Sequence, residues 1–124
     1  MVGKRILIVE DESILALDIE DSLILMGYGV VGTTSNAQEA FSMIENSPPD
    51  LVLMDVRIQG ETDGIEAAHH IWERFQLPII FLTASTDEPT LRRIYLTPAK
   101  GYVVKPFKIQ ELQEAIEAAL VAPP

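Results

Sequence analysis

Cysteine is absent from the 124-residue sequence, and its absence excludes several kinds of chemistry. Without a thiol the chain has no disulfide framework, no thiolate nucleophile and no cysteine-ligated metal site. The two histidines, His69 and His70, are adjacent. Side chains of neighbouring helical residues point about 100° apart, so this pair cannot chelate one metal ion. We expect both imidazoles to be solvated.

Basic residues and long apolar runs are also scarce. Nine lysines and arginines stand against 19 aspartates and glutamates, which gives a formal net charge of −10 and a pI near 4.5. Such a chain lacks the basic face that direct binding to nucleic acid or to an anionic membrane requires. No apolar run approaches membrane-spanning length, and the run after the basic start is too short for a signal peptide. The composition predicts a soluble, cytoplasmic, acidic domain without membrane insertion.

Apolar residues are plentiful, at 48% of the chain, which is enough for one hydrophobic core. Five short apolar runs recur, and each is apolar throughout instead of alternating with polar residues. They are ILIV at 6–9, GVVGT at 29–33, LVLMD at 51–55, PIIFLT at 78–83 and GYVVK at 101–105. Buried strands of this kind are typical of a parallel sheet that helices cover on both faces.

Stretches with a helical spacing of apolar residues separate these strands. Gly27 is placed to end the first helix, and Ser35 or Asn36 to cap the second. The fourth helix, about 87–96, ends early at Thr97-Pro98. Strand and helix thus alternate five times, which predicts a doubly wound α/β domain. The predicted core positions are Leu15, Ile19, Leu23 and Met26 in the first helix, Ala37, Ala40, Phe41 and Ile44 in the second, Ile65, Ala68, Trp72 and Phe75 in the third, and Ile109, Leu112, Ile116 and Ala119 in the fifth.

Polar residues follow four of the strands, at the edge where open parallel sheets bind ligands. Strand 1 ends in Glu10 and Asp11, strand 3 in Asp55, strand 4 in Thr83 and strand 5 in Lys105. Carboxylates without a histidine or cysteine ligand suit Mg²⁺ or Mn²⁺ better than Zn²⁺. A cation, carboxylates, a hydroxyl and an ammonium together suit phosphoryl transfer, in which an aspartate can itself be the nucleophile.

In this order and spacing, the segments ILIVEDE, LVLMDV, FLTAS and GYVVKPF resemble the receiver domain of two-component response regulators. The resemblance spans about Lys4 to Val121 and implies a single receiver domain over 1–124, with 122–124 as a tail or the start of a linker. It also implies a flavodoxin-like fold, a five-stranded parallel sheet in the order 2-1-3-4-5 with helices on both faces.

The resemblance implies a role for each acid at the sheet edge. Asp55 would be the phosphoacceptor, and Glu10 and Asp11 would join it in holding Mg²⁺ or, as a second possibility, Mn²⁺. The backbone carbonyl of Arg57 would be a further metal ligand. The third acid of the run, Glu12, is expected in the first turn of helix 1, where acids are favourable.

The same resemblance implies how the domain responds to phosphorylation. Thr83 would bond the phosphoryl group, Lys105 would neutralise it, and Tyr102 would swing inward as Thr83 moves. The bond between Lys105 and Pro106 would be cis. The change would reach the surface formed by helix 4, strand 5 and helix 5.

The implied function is that of a phosphorylation-activated receiver in a phosphorelay. A sensor histidine kinase or a histidine phosphotransfer protein would donate the phosphoryl group, and a downstream protein or output domain would read the changed surface. The domain would be a signalling switch rather than an enzyme, because it would catalyse only its own phosphorylation and slow dephosphorylation.

Two segments depart from the usual pattern of the family. The loop VRIQGET between Asp55 and Asp63-Gly64 lacks a common proline and is slightly longer than the commonest version. The segment LTPAK interrupts the fourth helix, where the family usually has a helical turn. Within the first segment, Arg57 could lean over the phosphoryl group or pair with Glu12, and we expect it to tune the phosphoryl lifetime.

Three other functions remain to be weighed. A pseudo-receiver would be a pure interaction module, yet here every position with a chemical role is filled. A phosphatase of the haloacid dehalogenase kind needs an aspartate two residues after its nucleophile, where this sequence has Arg57 or Ser13. A flavodoxin-like cofactor carrier needs a phosphate loop after strand 1, where this sequence has three acids.

Helix 1 carries a second apolar stripe formed by Ile14, Leu17 and Ile24, with Asp21 between them. Leu17 and Ile24 point roughly away from the core stripe of the same helix. A helix that is apolar on both sides is usually buried on both sides, and one sheet covers only one of them. We therefore predict a partner on this face, either a second copy or a segment beyond this sequence. A homodimer through helix 4, strand 5 and helix 5 is the alternative.

Overall fold

The computed structural model describes residues 3–121, so the predicted tail at 122–124 lies outside the described residues. The strands are β1 (Arg5–Val9), β2 (Gly29–Thr34), β3 (Leu51–Asp55), β4 (Ile79–Thr83) and β5 (Gly101–Val104). The helices are α1 (Ser13–Leu25), α2 (Ala37–Asn46), α3 (Gly64–Phe75), α4 (Glu88–Tyr95) and α5 (Ile109–Val121). None of the helices in this part of the chain is long and apolar enough to cross a membrane.

The strands form one parallel sheet in the order β2-β1-β3-β4-β5, which confirms the predicted doubly wound fold. Pairing brings the carboxyl ends of the strands level with one another. Val9 at the end of β1 pairs with Met54, and Thr83 at the end of β4 pairs with Val104. The residues that follow these strands therefore meet at one edge of the sheet.

Each face of the sheet has its own hydrophobic core, because successive strand residues point to opposite faces. Val9, Met54 and Phe81 pack beneath α2, α3 and α4, while Ile8 and Leu53 pack beneath α1 and α5. None of these five side chains is exposed to solvent. Helices on both faces explain why the strands are apolar throughout.

Several predicted element ends are confirmed. The Asn36 side chain accepts a hydrogen bond from the backbone N–H of Glu39 and caps α2. Gly27, which follows α1, has a φ of +92°, a left-handed conformation that favours glycine after a helix. The short helix α4 ends at Tyr95, before the predicted break. The bond between Lys105 and Pro106 is cis, as the resemblance implied.

Some predicted core positions are wrong or lie at the margin of the core. Ile109 is 42% exposed, because it is the first residue of α5 and only later turns, such as that of Leu112, pack on the sheet. Leu15 and Met26 are half-buried, and Ala16 is the fully packed residue in the first turn of α1. Helix periodicity therefore predicted the buried face but not how far it extends.

β2 forms one edge of the sheet and contains an irregularity. Ile6 of β1 pairs with Val30, and the next residue, Leu7, pairs with Gly32. Val31 therefore has no partner in β1, and the register of this edge strand shifts by one residue.

Candidate functional site

Three carboxylates converge beyond the carboxyl ends of β1 and β3. One oxygen atom from each of Glu10, Asp11 and Asp55 lies within 4.8 Å of the other two. Glu10 and Asp55 are buried, whereas Asp11 is exposed. The strand order produces this cluster, because β1 and β3 are neighbours. Negative charges this close repel one another, and burial strengthens the repulsion.

Lys105 is the cation of the cluster. Its ammonium nitrogen lies 2.8 Å from Asp55 Oδ2, 2.7 Å from Glu10 Oε1 and 3.7 Å from Glu12 Oε1. Its backbone N–H donates to the Thr83 carbonyl at 2.8 Å, which fixes the residue beside the end of β4. Burial lowers the pKa of Lys105, but hydrogen bonds and charges from Asp55 and Glu10 outweigh burial and raise it. The carboxylates outnumber this one ammonium, so the cluster favours an additional cation.

Glu10 is a buried carboxyl group with a raised pKa. Burial raises the pKa of Glu10 from 4.5 to about 7, and Asp55 adds to the rise, while Lys105 and a backbone N–H oppose it. That N–H belongs to Glu12 and donates to Glu10 Oε2 at 3.0 Å. Glu12 is the N-cap residue of α1, so its predicted position in the first turn is wrong by one residue.

The ligand atoms of the cluster fit a hard divalent cation. All three groups offer carboxylate oxygens, the ligands that Mg²⁺ prefers. Glu10 Oε1 is buried, and the Lys105 ammonium lies 2.7 Å from it. Glu10, Asp11 and Asp55 would hold the cation, and its charge would offset their repulsion.

The backbone around Asp55 is held in place by close contacts. The N–H of Arg57 donates to Asp55 Oδ1 at 3.1 Å, and the N–H of Val56 donates to the Leu82 carbonyl at 3.0 Å. α3 begins against the same segment, where Gly64 donates to the Val56 carbonyl at 2.8 Å. A Cβ atom on Gly64 would lie 1.8 Å from the carbonyl oxygen of Asp55, a distance that no real side chain permits.

Thr83 lies in the wall of a cleft of about 400 Å³ that opens above Asp55. Its buried hydroxyl donates to the Ser85 carbonyl at 2.8 Å and accepts from the Ser85 N–H at 3.1 Å. Arg57 and Lys105 line other parts of the cleft. A ligand that enters therefore meets the carboxylate, the hydroxyl and the ammonium together.

Tyr102 is half-buried on β5 and does not line the cleft. It pairs with Phe81, two residues before Thr83, so Tyr102 and Thr83 lie on the same face of the sheet. The Tyr102 ring packs edge-on against Tyr95 of α4, with 6.3 Å between the ring centroids. Hydrogen bonding with Tyr95 raises the pKa of Tyr102.

Two contacts at α4 were not predicted from the sequence. Asp87 caps the helix by accepting from the Thr90 N–H at 2.8 Å and also accepts from the Ser85 hydroxyl at 2.6 Å. Hydrogen bonds from Ser85 and then Thr90 lower the pKa of Asp87 to about 2. Arg93 lies 2.8 Å from Asp63 Oδ2 and joins α4 to the start of α3. A capping residue before α4 could have been inferred from sequence, but no pattern signals the ion pair.

Other features noted in the sequence lie away from the cleft. His69 and His70 do not belong to the carboxylate cluster, and the His70 ring packs edge-on against Phe41. On α1, Leu17 and Ile24 are 59% and 55% exposed, as expected for a second apolar stripe on the surface. The predicted site residues are thus gathered at one sheet edge, except Tyr102.

Sequence comparison identifies relatives along almost the whole chain. The family profile described as "Response regulator receiver domain" matches residues 6–117. The transcriptional regulatory protein PdtaR of Mycobacterium tuberculosis is 40% identical over 119 residues, which are 96% of this chain and 58% of PdtaR. The phosphate regulon transcriptional regulatory protein PhoB of Pseudomonas aeruginosa is 37% identical over 97% of this chain and 53% of PhoB. The chain therefore spans a little over half the length of these relatives.

Solved structures show the same fold. The signal receiver domain of a modulated diguanylate cyclase from Desulfovibrio desulfuricans has a TM-score of 0.88 at 35% identity, over 94% of this chain and 93% of that one. The receiver domain of the sensor histidine kinase PA1611 from Pseudomonas aeruginosa has a TM-score of 0.86 at 30% identity, over 98% of this chain and 100% of that one. In the PA1611 domain a magnesium ion is coordinated in the active site cleft.

Proposed function

Because this chain belongs to the response regulator receiver domain family, we propose that it is a switch in two-component signalling that is phosphorylated on Asp55. One observation carries this proposal. The Asp55 carboxylate lines the cleft, and its oxygens lie within 4.8 Å of two other carboxylates and 2.8 Å from the Lys105 ammonium. A buried carboxylate that lies beside an ammonium and beside two other carboxylates able to hold a divalent cation is equipped to attack phosphorus.

The proposed reaction transfers a phosphoryl group from a phosphohistidine to Asp55. A carboxylate oxygen of Asp55 bonds to phosphorus while the phosphorus–nitrogen bond breaks, and the imidazole leaves with the electron pair of that bond. Glu10, Asp11, Asp55 and the Arg57 carbonyl would hold Mg²⁺, which supplies neutralisation of the negative charge on the phosphoryl oxygens. The Lys105 ammonium already contacts Asp55 and would shift to contact a phosphoryl oxygen, whose negative charge it would neutralise.

The proposed switch runs through Thr83. Its hydroxyl is engaged with Ser85, and bonding to a phosphoryl oxygen would draw it away from that carbonyl. The space that Thr83 leaves lies on the face of the sheet that also carries Tyr102. Tyr102 would leave its edge contact with Tyr95 and turn inward, which alters the surface formed by α4, β5 and α5.

The proposed partners follow from the chemistry of transfer. A sensor histidine kinase or a histidine phosphotransfer protein would be the donor, and a downstream protein or output domain would bind the altered surface. In this role the domain acts as a switch and turns over no separate substrate. A pseudo-receiver would share the fold but would not be phosphorylated, so phosphorylation decides between the two.

Phosphorylation is tested by intact mass after incubation with Mg²⁺ and phosphoramidate. We expect a gain of one phosphoryl group in the parent, none in Asp55→Asn, and a normal gain in the control Asp18→Asn, which changes an exposed acid on α1. An unmodified parent would favour the pseudo-receiver, and an equal gain in Asp55→Asn would place the phosphoryl group elsewhere. Rapid release of inorganic phosphate from many equivalents of donor would favour the phosphatase.

A further inference from the structure

The loop between β3 and α3 is pinned near its middle to the loop after β2. The backbone N–H of Gln59 donates to the Ser35 carbonyl at 2.9 Å, and Gln59 forms an isolated parallel bridge with Asn36. The Ser35 hydroxyl also donates to the Gln59 side chain at 3.3 Å. Directly after this bridge the chain turns at Gly60, whose φ is +100°. The longer, proline-free loop is therefore an ordered segment followed by a turn.

The end of β2 also contacts the carboxyl end of β1, where the first acids lie. The N–H of Glu10 donates to the Thr34 carbonyl at 2.8 Å, and the N–H of Gln59 donates to the next carbonyl along, that of Ser35. Gln59 lines a groove that includes Asp11. The consecutive carbonyls of Thr34, the last residue of β2, and Ser35 thus fix the segment with the first acids and the segment that follows Asp55.

Few conformations remain for the peptide between Asp55 and Gln59. The N–H of Val56 is bonded to Leu82, and the Ile58 side chain packs against the core beneath α2 and α3. Arg57 lies between these fixed points and lines the cleft. Fixing both sides of one peptide removes conformational freedom that a ligand would otherwise have to restrict.

We propose that Gln59 is a positioning residue, whose backbone bond to Ser35 presets the Arg57 carbonyl for metal binding. The inference rests on the proposed function, which makes that carbonyl a metal ligand. The side chain of Gln59 contributes less than its N–H, because its contact is longer and lies at the surface.

A matched pair of variants tests the backbone bond. Gln59→Ala and Gln59→Pro lose the same amide side chain, but only proline also lacks the N–H that bonds to Ser35. The dissociation constant for Mg²⁺ is measured by following backbone amide signals by NMR, and the unfolding midpoint is measured in EDTA. We expect Gln59→Pro to weaken Mg²⁺ binding about tenfold and Gln59→Ala to stay close to the parent.

The result that would overturn the inference is a lowered unfolding midpoint in Gln59→Pro with the Mg²⁺ dissociation constant of the parent. If Gln59→Pro does not fold, Gly60→Ala is tested in its place. Alanine rarely adopts the positive φ of Gly60, so this variant strains the backbone next to the hydrogen bond between Gln59 and Ser35. Its dissociation constant for Mg²⁺ is then compared with that of the parent. Asp11→Asn serves as the reference for a lost ligand. A parent that binds no Mg²⁺ would instead reject the metal role in the proposed function.

Discussion

Gly64, the first residue of α3, packs directly on the carbonyl group of Asp55. A Cβ atom at position 64 would approach that oxygen to 1.8 Å, and the obstacle is backbone, which cannot rotate away as a side chain can. The residue that would be phosphorylated and the start of α3 are therefore fixed by the same contact. Any larger residue at position 64 must displace one of the two.

We expect Gly64→Ala to lower the free energy of unfolding by about 3 kcal/mol and to slow phosphorylation, because the clash shifts Asp55 or α3. The matched control is Gly101→Ala, since a Cβ atom there meets no atom within 4 Å. Gly101→Ala should stay within about 0.5 kcal/mol of the parent. Urea denaturation measures the free energy of unfolding of both variants. Equal values would show that the backbone at Asp55 can shift at little cost to accommodate a Cβ atom at position 64.

The pKa of Glu10 predicts how the stability of the metal-free protein depends on pH. The pKa is about 7 in the folded protein and 4.5 for an ordinary glutamate, so the folded protein binds this proton more tightly than the unfolded chain. The free energy of unfolding should therefore fall as pH rises from about 4.5 to about 7 and stay constant above that range.

Glu10→Gln should flatten this part of the pH profile, because glutamine carries no titrating proton. Glu61→Gln changes an exposed glutamate away from the carboxylate cluster and is the control that should keep the slope of the parent. Denaturation in EDTA between these pH values is the measurement. A slope that survives in Glu10→Gln would assign the effect to other groups.

Arg57 is expected to set the lifetime of the aspartyl phosphate. It is exposed and lines the cleft, and its charge adds to the hydrogen bonds from Ser85 and Thr90 that lower the pKa of Asp87. The predicted alternative pairing with Glu12 is not found within the described chain, where the Glu12 carboxylate lies 3.7 Å from Lys105. Arg57 is therefore available to lie over the phosphoryl group.

We expect Arg57→Ala to change the half-life of the phosphoryl group more than about threefold, which corresponds to only about 0.7 kcal/mol of barrier. Arg57→Lys keeps the positive charge but changes the shape of the side chain. It therefore shows which of these two properties sets the half-life. Decay is followed by intact mass after removal of the phosphodonor. Indistinguishable decay in Arg57→Ala and the parent would contradict the prediction.

The outer stripe of α1 predicts self-association. Ile14 is 86% exposed, and Leu17 and Ile24 lie on the same outer side of the helix. Removing this apolar surface from water would favour a dimer, although the Asp21 carboxylate within the stripe opposes close pairing of two copies. We expect the parent to form dimers as its concentration rises and the double variant Leu17→Lys plus Ile24→Lys to remain monomeric.

Light scattering across a concentration series, with and without phosphorylation, measures the association. A second double variant, Asp18→Lys plus Glu20→Lys, introduces two lysines next to the stripe without removing its apolar residues, although it changes the net charge by +4 instead of +2. Monomers at every concentration in the parent would exclude a homodimer through α1.

Sequence reasoning predicted which side chains gather at the carboxyl edge of the sheet because the sheet is parallel and regular there. Once strands were assigned, Glu10, Asp55 and Lys105 had to meet, whatever the loops did. Contacts between loops follow no such rule. The bridge from Gln59 to Asn36 and the ion pair of Arg93 with Asp63 join residues far apart in the chain through irregular backbone, so no periodic pattern indicates them. The pKa of Glu10 likewise depends on burial and distance rather than on residue type.

The register shift at Val31 limits how another strand can pair with this sheet. Edge strands can recruit strands from other molecules when they present an even row of free N–H and C=O groups, and this is how many sheets aggregate. The extra residue in β2 makes that row uneven, and the opposite edge, β5, is only four residues long. Neither edge is a good template for another strand. The sheet is therefore poorly suited to extension into fibres.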